Sequence, residues 1–460
     1  MNDSTYDLII IGAGPAGLSA ATLVSEYKIK ALILDENRAP GGQIYRGIEA
    51  NQKNTHNLGS GYQQGLGLVQ SFRAANLEYR CSAKVWYLSN DGKVSYSIAG
   101  KSYSVHGKQI LIATGAQERP FPLLGWTLDG VMSAGAAQIL LKESGVVCEN
   151  AVFIGTGPLL YLIAHQYISV GTPIKAIIDT TPRGNYYQAL KHCFGGLWGI
   201  KDIIQGWRWR REIIQSNTQF ISNVDDVRIS GSDSVKSVDY LKNGIWQNLQ
   251  CEHAFIHQGV VPDINISLSV GCEKIWNERL ACWTIRTNEH CESSIKGISV
   301  AGDACTINGG VAAAHKGSIA ALNILSQLNI ISTSQRDKLV KPFKRTLKVE
   351  IAPRAFLDAL FKPDQRYRIP KDDNTIVCRC EEISLADIKD SIRIGCVGAN
   401  QLKCFSRCGM GLCQGRFCGL SASEIMAKEL GVATSNIGYF NIRPPIKPVT
   451  LGELATLDEV

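Results

Sequence analysis

Short apolar runs alternate with stretches whose small and apolar residues recur at helical spacing. Residues 8–11 (LIII) form the first run, a small-residue helical pattern follows, and a second run (31–34, ALIL) ends on Asp35. Residues 84–89 and 93–98 alternate in polarity on either side of Asn90-Asp91-Gly92, which predicts a hairpin. Residues 109–116 (QILIATGA) read as a buried strand running into a glycine. A second strand–turn–helix–strand pattern spans 151–179, and 297–304 is a further strand ending in Gly302-Asp303, behind which Gly309-Gly310 opens a helix. Strands and helices taken in turn predict an α/β fold with parallel sheets. The polar, glycine-rich stretch 51–67 reads as a surface loop or insertion, and basic 336–348 as a solvated linker or helix. Polar 364–374, with Pro363 and Pro370 nearby, fits a domain boundary. Interleaved Trp and Arg in 183–215 suit a contact between subunits or an amphipathic helix face better than nucleic acid.

Length and composition narrow this little: 460 residues allow roughly two to four domains, and a net charge of +7 is mild for that size. No apolar run approaches the roughly eighteen residues of a membrane span, and the first apolar run is a strand rather than a signal peptide. Fifteen cysteines without a leader suggest the reducing cytoplasm, where thiols serve as small buried side chains or metal ligands.

The first pattern carries chemistry. Gly12-Ala13-Gly14-Pro15-Ala16-Gly17 between two strands is a dinucleotide fingerprint. Gly12 lets the chain turn off the strand, Gly14 lets the backbone approach a pyrophosphate, and Gly17 lets the helix lie close to the sheet. The helix N-terminus offers unpaired N–H groups to phosphates, and Asp35 ends the second strand where a carboxylate can meet a ribose. The next loop, from Glu36 through Gly42 to Gln43, is placed to touch the same ligand. In the second pattern Gly155 and Gly157 are present, but Leu160 replaces the third glycine, so the fold is expected without a working NAD(P) site. The eight cysteines from Cys81 to Cys305 are scattered singly and read as buried small side chains. From Cys378 they crowd: Cys378 and Cys380 form one close pair, Cys413 and Cys418 another, with Cys408 the rival ligand and Cys396 and Cys404 spare. Two thiolate pairs suit a [2Fe–2S] cluster or a structural zinc, and spacing alone does not choose. No CxxC occurs, which argues against a thioredoxin-reductase type disulfide.

Gly12-x-Gly14-x-x-Gly17, Ala113-Thr114-Gly115, Gly155-x-Gly157 and Ala301-Gly302-Asp303 together resemble the glutathione-reductase-like flavoproteins, which have two Rossmann-like domains. That resemblance implies FAD at the first fingerprint, held by Gly12, Gly14, Pro15, Ala16, Gly17, Asp35, Glu36, Gly42, Gln43, Thr114, Gly115, Gly302 and Asp303, with the Val85 backbone at the adenine. Further segments are PGGQIYRG (40–47), ATGAQERPFPLLGW (113–126), GTGPLL (155–160), CRCEE (378–382), KCFSRCGMGLCQGRFCG (403–419) and RPPIKPV (443–449). With them the chain resembles the FAD-binding alpha (A-type) subunits of opine oxidases, heteromeric proline and hydroxyproline dehydrogenases and hydrogen cyanide synthase. Its C-terminal part is similar to bacterioferritin-associated ferredoxin.

The resemblance implies an FAD-binding domain over 1–120 and 285–335 and a second Rossmann domain over 121–284. A linker (336–374), a helical Cys-rich iron–sulfur domain (375–430) and a tail (431–460) would follow. It points to Cys378, Cys380, Cys413 and Cys418 as [2Fe–2S] ligands. It also implies a glycine-oxidase-like partner of the beta (B) type, which oxidises a C–N bond of an amino acid or opine and passes electrons on. It leaves room for an FMN between the two proteins. The cytoplasm, or the inner face of a membrane, would be its place. No catalytic acid–base set stands out. The rival readings are a self-sufficient NAD(P)H-dependent flavin reductase and a zinc-holding scaffold with vestigial nucleotide folds.

Overall fold

Strand Thr5–Ile11 pairs in parallel with Ala31–Leu34 on one side and with Lys101–Ile112 on the other. These apolar runs have no polar alternation because helices and neighbouring layers cover both faces of the sheet. The computed structural model describes residues 5–52 and 58–459. The seven-stranded sheet runs Glu78–Arg80, Ala31–Leu34, Thr5–Ile11, Lys101–Ile112, Lys93–Ile98, Lys84–Leu88, with Ile298–Val300 also pairing with Lys101–Ile112. The long strand serves two roles. Its first half continues the Lys84–Leu88 and Lys93–Ile98 hairpin, and its second half carries the parallel core toward Thr114.

A second, five-stranded sheet is built around Ala151–Thr156, flanked by Ala176–Asp179 and His253–Gln258. An antiparallel ribbon of Ala116–Glu118 with Val260–Pro262 lies where the chain passes from one sheet to the other and returns. The arrangement is thus a mixed α/β fold with two Rossmann-like sheets and a helical C-terminal part.

Several expectations need correction. Residues 60–67 are not loop: a helix spans Ser60–Ala74 and buries Tyr62, Val69 and Phe72. Its glycines mislead because one of them serves packing. A Cβ at Gly65 would stand 2.3 Å from the Tyr45 ring. Positions 53–57 of the expected loop lie outside the described residues. Of the eight scattered cysteines, Cys81 and Cys193 are exposed and Cys148 is half-buried, whereas Cys251, Cys272, Cys282, Cys291 and Cys305 are buried. Basic 336–348, expected as a solvated linker or helix, is helix within Thr333–Ile351 (through Pro342), and the rest of the expected linker carries helices Arg354–Leu360 and Gln365–Arg368.

The Trp/Arg segment folds into helices Arg183–Leu190, Cys193–Trp198 and Ile200–Gln215. Ile213 is buried, whereas Trp198 and Trp207 are 67% and 61% exposed, so apolar side chains on these helices remain uncovered. No helix among the described residues is long and apolar enough to cross a membrane. The last thirty residues are more than a tail. Ile437, Tyr439, Phe440, Ile442 and Ile446 join one apolar core with Cys378, Ile388 and Ile425 of the cysteine-rich unit and with Val261 and Trp283.

Candidate functional site

The first fingerprint folds as a cradle. Gly12 has φ +109°, and a Cβ at Gly17 would fall 1.9 Å from the Gly12 carbonyl oxygen, so turn and helix are in direct contact. At Gly14 the nearest atom to a Cβ would be the Gly42 Cα at 3.8 Å, so the missing side chain leaves the helix N-terminus bare of Cβ atoms on the side of the 40–43 loop. The 40–43 loop closes on that turn, with Gly41 donating its N–H to Ala13 O at 2.8 Å. Gly302 packs against Ala16 at the start of the helix. The Asp303 carboxylate accepts N–H bonds from Asn308 (2.8 Å) and Gly309 (3.2 Å) and so shapes the second glycine-rich turn. Thr114 and Gly115 leave the central strand nearby and are tied to Asp263.

Asp35 is 5% exposed, with Oδ2 accepting from Ala13 N at 2.5 Å and Oδ1 from Asn37 N at 2.7 Å. Burial raises its pKa against those bonds. The carboxylate therefore braces the fingerprint turn, each oxygen keeping a second lone pair. Glu36 is the exposed acid beside it and pairs with Lys447.

The loop that follows is locked from the second domain. Lys142 donates through Nζ to Ile44 O (2.9 Å), Gln138 Oε1 (3.0 Å) and Gln43 O (3.4 Å). Gln138 donates to Gln166 at 2.8 Å, and Gln166 to Leu58 O at 2.8 Å. Burial, with the Arg46 charge nearby, pushes the Lys142 pKa down to about 7.

The second fingerprint has a leucine at its third-glycine position and a histidine beside its turn. Leu160 is fully buried, and a Cβ at Gly155 would fall 1.7 Å from His257 O. Asp179, where a nucleotide ribose would need an acceptor, receives the Tyr161 hydroxyl at 2.8 Å and Thr181 N at 2.9 Å. His257, paired with Glu118, lies beside Gly157.

Cys378, Cys408 and Cys418 bring their sulfurs within 4.8 Å of one another and are buried, the group of metal-competent side chains found among the described residues. Cys408 and Cys418 thiols donate to the Cys378 sulfur, as do the N–H groups of Gly409 and Glu381, which draws the Cys378 pKa down to about 2. The pairing with Cys378 in turn pushes Cys408 and Cys418 up. Cys380 and Cys413 interact with each other at the more exposed side, and Cys413 accepts from Phe417 and Gly415 N–H. A buried group of three converging sulfurs is a donor set for a soft cation. The Cys413–Cys418 loop is fastened to the nucleotide domain. Gln117 Nε2 donates to Arg416 O at 2.9 Å and Asn265 Nδ2 to Gln414 O at 3.0 Å. Gln117 and Lys447 lie within the quoted segments 113–126 and 443–449, but what they bond, like the bonds of Lys142, appears only with their long-range partners.

Residues 6–195 match the family model "Pyridine nucleotide-disulphide oxidoreductase", and 372–457 match "Sarcosine oxidase A3 domain". The chain is 39% identical to the A subunit of opine oxidase from Agrobacterium tumefaciens (strain Ach5), covering 98% of this chain and 92% of that one. Against the A subunit of opine oxidase from Rhizobium meliloti (strain 1021) the identity is 36%, over 99% and 100%. The fold matches the crystal structure of L-proline dehydrogenase from P. horikoshii with a TM-score of 0.71, 18% identity, and 98% and 79% coverage.

Proposed function

Because this chain belongs to the family of opine oxidase A subunits, we propose that it is the electron-relaying subunit of a heteromeric oxidase or dehydrogenase acting on a CH–NH group. It holds FAD at the first fingerprint and a [2Fe–2S] cluster on Cys378, Cys380, Cys413 and Cys418. A partner flavoprotein, glycine-oxidase-like, oxidises the amino acid or opine, and the electrons reach an acceptor through this chain. Bound FAD exchanges electrons in pairs or singly, and the cluster carries them one at a time.

The observation that carries the reading is the fastening of the cysteine loop to the two strands of the crossing ribbon, through Gln117–Arg416 on the segment leaving Thr114–Gly115 and Asn265–Gln414 just past the returning strand. It makes the nucleotide cradle and the sulfur group parts of one unit, as a relay needs. The residues at the cradle supply the fit for FAD: a Gly14 turn without a side chain at the helix N-terminus, the glycine loop 40–43 beside it, and the Asp303 turn nearby. Two sulfur pairs on short loops with backbone N–H donors suit a cluster. The second fingerprint carries fully buried Leu160 in place of its third glycine, with His257 beside Gly157, which disfavours an NAD(P)H-driven reductase.

An anaerobic absorbance spectrum of the purified chain, with iron and zinc assayed on the same sample, tests this. Flavin bands near about 370 and 450 nm with about two irons per chain are expected. Flavin without iron would sink the cluster assignment, and zinc without colour would leave only a scaffold.

A further inference from the structure

The segment RPPIKPV (443–449) touches both halves of the molecule. On the cysteine-rich side, Arg416 donates to Ile446 O at 3.2 Å and Lys403 to Asn441 O at 2.8 Å. The segment then crosses to the nucleotide domain, where buried Ile446 donates its N–H to Trp86 O at 2.9 Å. Trp86 follows Val85 on the strand Lys84–Leu88. One residue on, Lys447 pairs with Glu36, within electrostatic reach of Asp35. The segment therefore straps across the end of the second fingerprint strand, where this class of fold places the ribose of the adenosine half of a dinucleotide.

An ammonium has three N–H donors, and the Glu36 contact uses one. We infer that Lys447 is a residue of the dinucleotide site, its ammonium donating to the ribose hydroxyls of the adenosine half while the 443–449 strap closes that end of the cradle. This rests on the proposed nucleotide occupancy of the first fingerprint. It adds a site residue contributed from more than four hundred positions away, so the cysteine-rich unit and the cofactor would hold each other in place.

The test is calorimetric titration of the flavin-stripped full chain with ADP and with 2′,3′-dideoxy-ADP, in wild type, K447Q and K447R. Loss of a charged hydrogen bond to a ribose hydroxyl predicts that K447Q weakens ADP by about tenfold and the dideoxy nucleotide by less than about twofold, with K447R restoring part of the difference. Equal weakening of both nucleotides would mean that Lys447 only anchors the strap, and would overturn the inference, as would unchanged binding of both. If the wild-type chain binds neither, the dinucleotide reading of the first fingerprint falls, and the inference with it.

Discussion

The Tyr161 hydroxyl donates to Asp179 Oδ2 at 2.8 Å inside the second Rossmann domain. That bond places a phenol against the carboxylate that a nucleotide ribose would need, and Thr181 N takes the other oxygen. Burial raises the Asp179 pKa in spite of these partners. A carboxyl with a raised folded pKa contributes stability that is present at low pH and is lost as pH rises through the folded value. NADH or NADPH added anaerobically to the chain should leave its flavin absorbance unchanged. Rapid bleaching at 450 nm, about where oxidised flavin absorbs, would reopen the reductase reading. Tyr161→Phe should cost about 1–2 kcal/mol in denaturant unfolding by leaving a buried acceptor short of a partner.

Lys142 predicts a pH dependence of the opposite sense. Its folded pKa lies near 7, below the free-lysine range, so between pH 7 and about 10 the unfolded chain binds a proton that the folded chain does not. Stability from this residue therefore rises with pH across that window, by about 1.4 kcal/mol per unit at most. Cysteines and tyrosines titrate there too, so the quantity to follow is the difference in unfolding free energy between wild type and Lys142→Met. A difference that stays flat from pH 7.5 to 9.5 (values chosen to lie within that rough window) would show that the ammonium is not held neutral.

Two glycines of the first fingerprint should behave differently. A Cβ at Gly14 would make only an ordinary contact, 3.8 Å from the Gly42 Cα, so Gly14→Val is expected to fold yet lose its yellow colour. A Cβ at Gly17 would collide with the Gly12 carbonyl, so Gly17→Ala should destabilise the chain by about 3 kcal/mol or more, whether or not nucleotide is present. Melting curves and bound-flavin content of the two variants separate steric from ligand effects. If Gly14→Val keeps a full complement of flavin, the cradle is not the flavin site.

Five thiols converge where a cluster needs four. With Cys378, Cys380, Cys413 and Cys418 as ligands, Cys413→Ser should lose the iron–sulfur absorbance and its iron, and Cys408→Ala should keep about two irons per chain. The reverse pattern would assign the site to the Cys378–Cys408–Cys418 triad that the fold brings together.

Local chemistry explains how much of this is legible along the chain. The strand–glycine–helix turn at Gly12–Gly17, the Asn90-Asp91-Gly92 hairpin and the second strand–turn–helix at Gly155 each depend on neighbours within thirty residues. Their backbone requirements are therefore written in consecutive side chains. The 60–74 helix escapes such a reading because Gly65 answers to Tyr45, and the exposure of Cys81 and Cys193 escapes it because a lone thiol carries no periodicity.

Consecutive residues suffice for the βαβ units, the glycines that bring backbone close to a phosphate, and the two cysteine pairs, since all follow from φ/ψ limits and short spacing. Folding in three dimensions is what sets Tyr161 on Asp179 and His257 beside Gly157, puts Cys408 among the sulfurs, and lets Gln117 fasten the cysteine loop to the nucleotide domain. It also brings Lys142 and Lys447 to the first fingerprint from another domain and from the far end of the chain. Most of those pairings join residues about 100 to more than 400 positions apart, and no local propensity encodes them. They arise when burying the apolar faces sets which polar groups are left to satisfy one another.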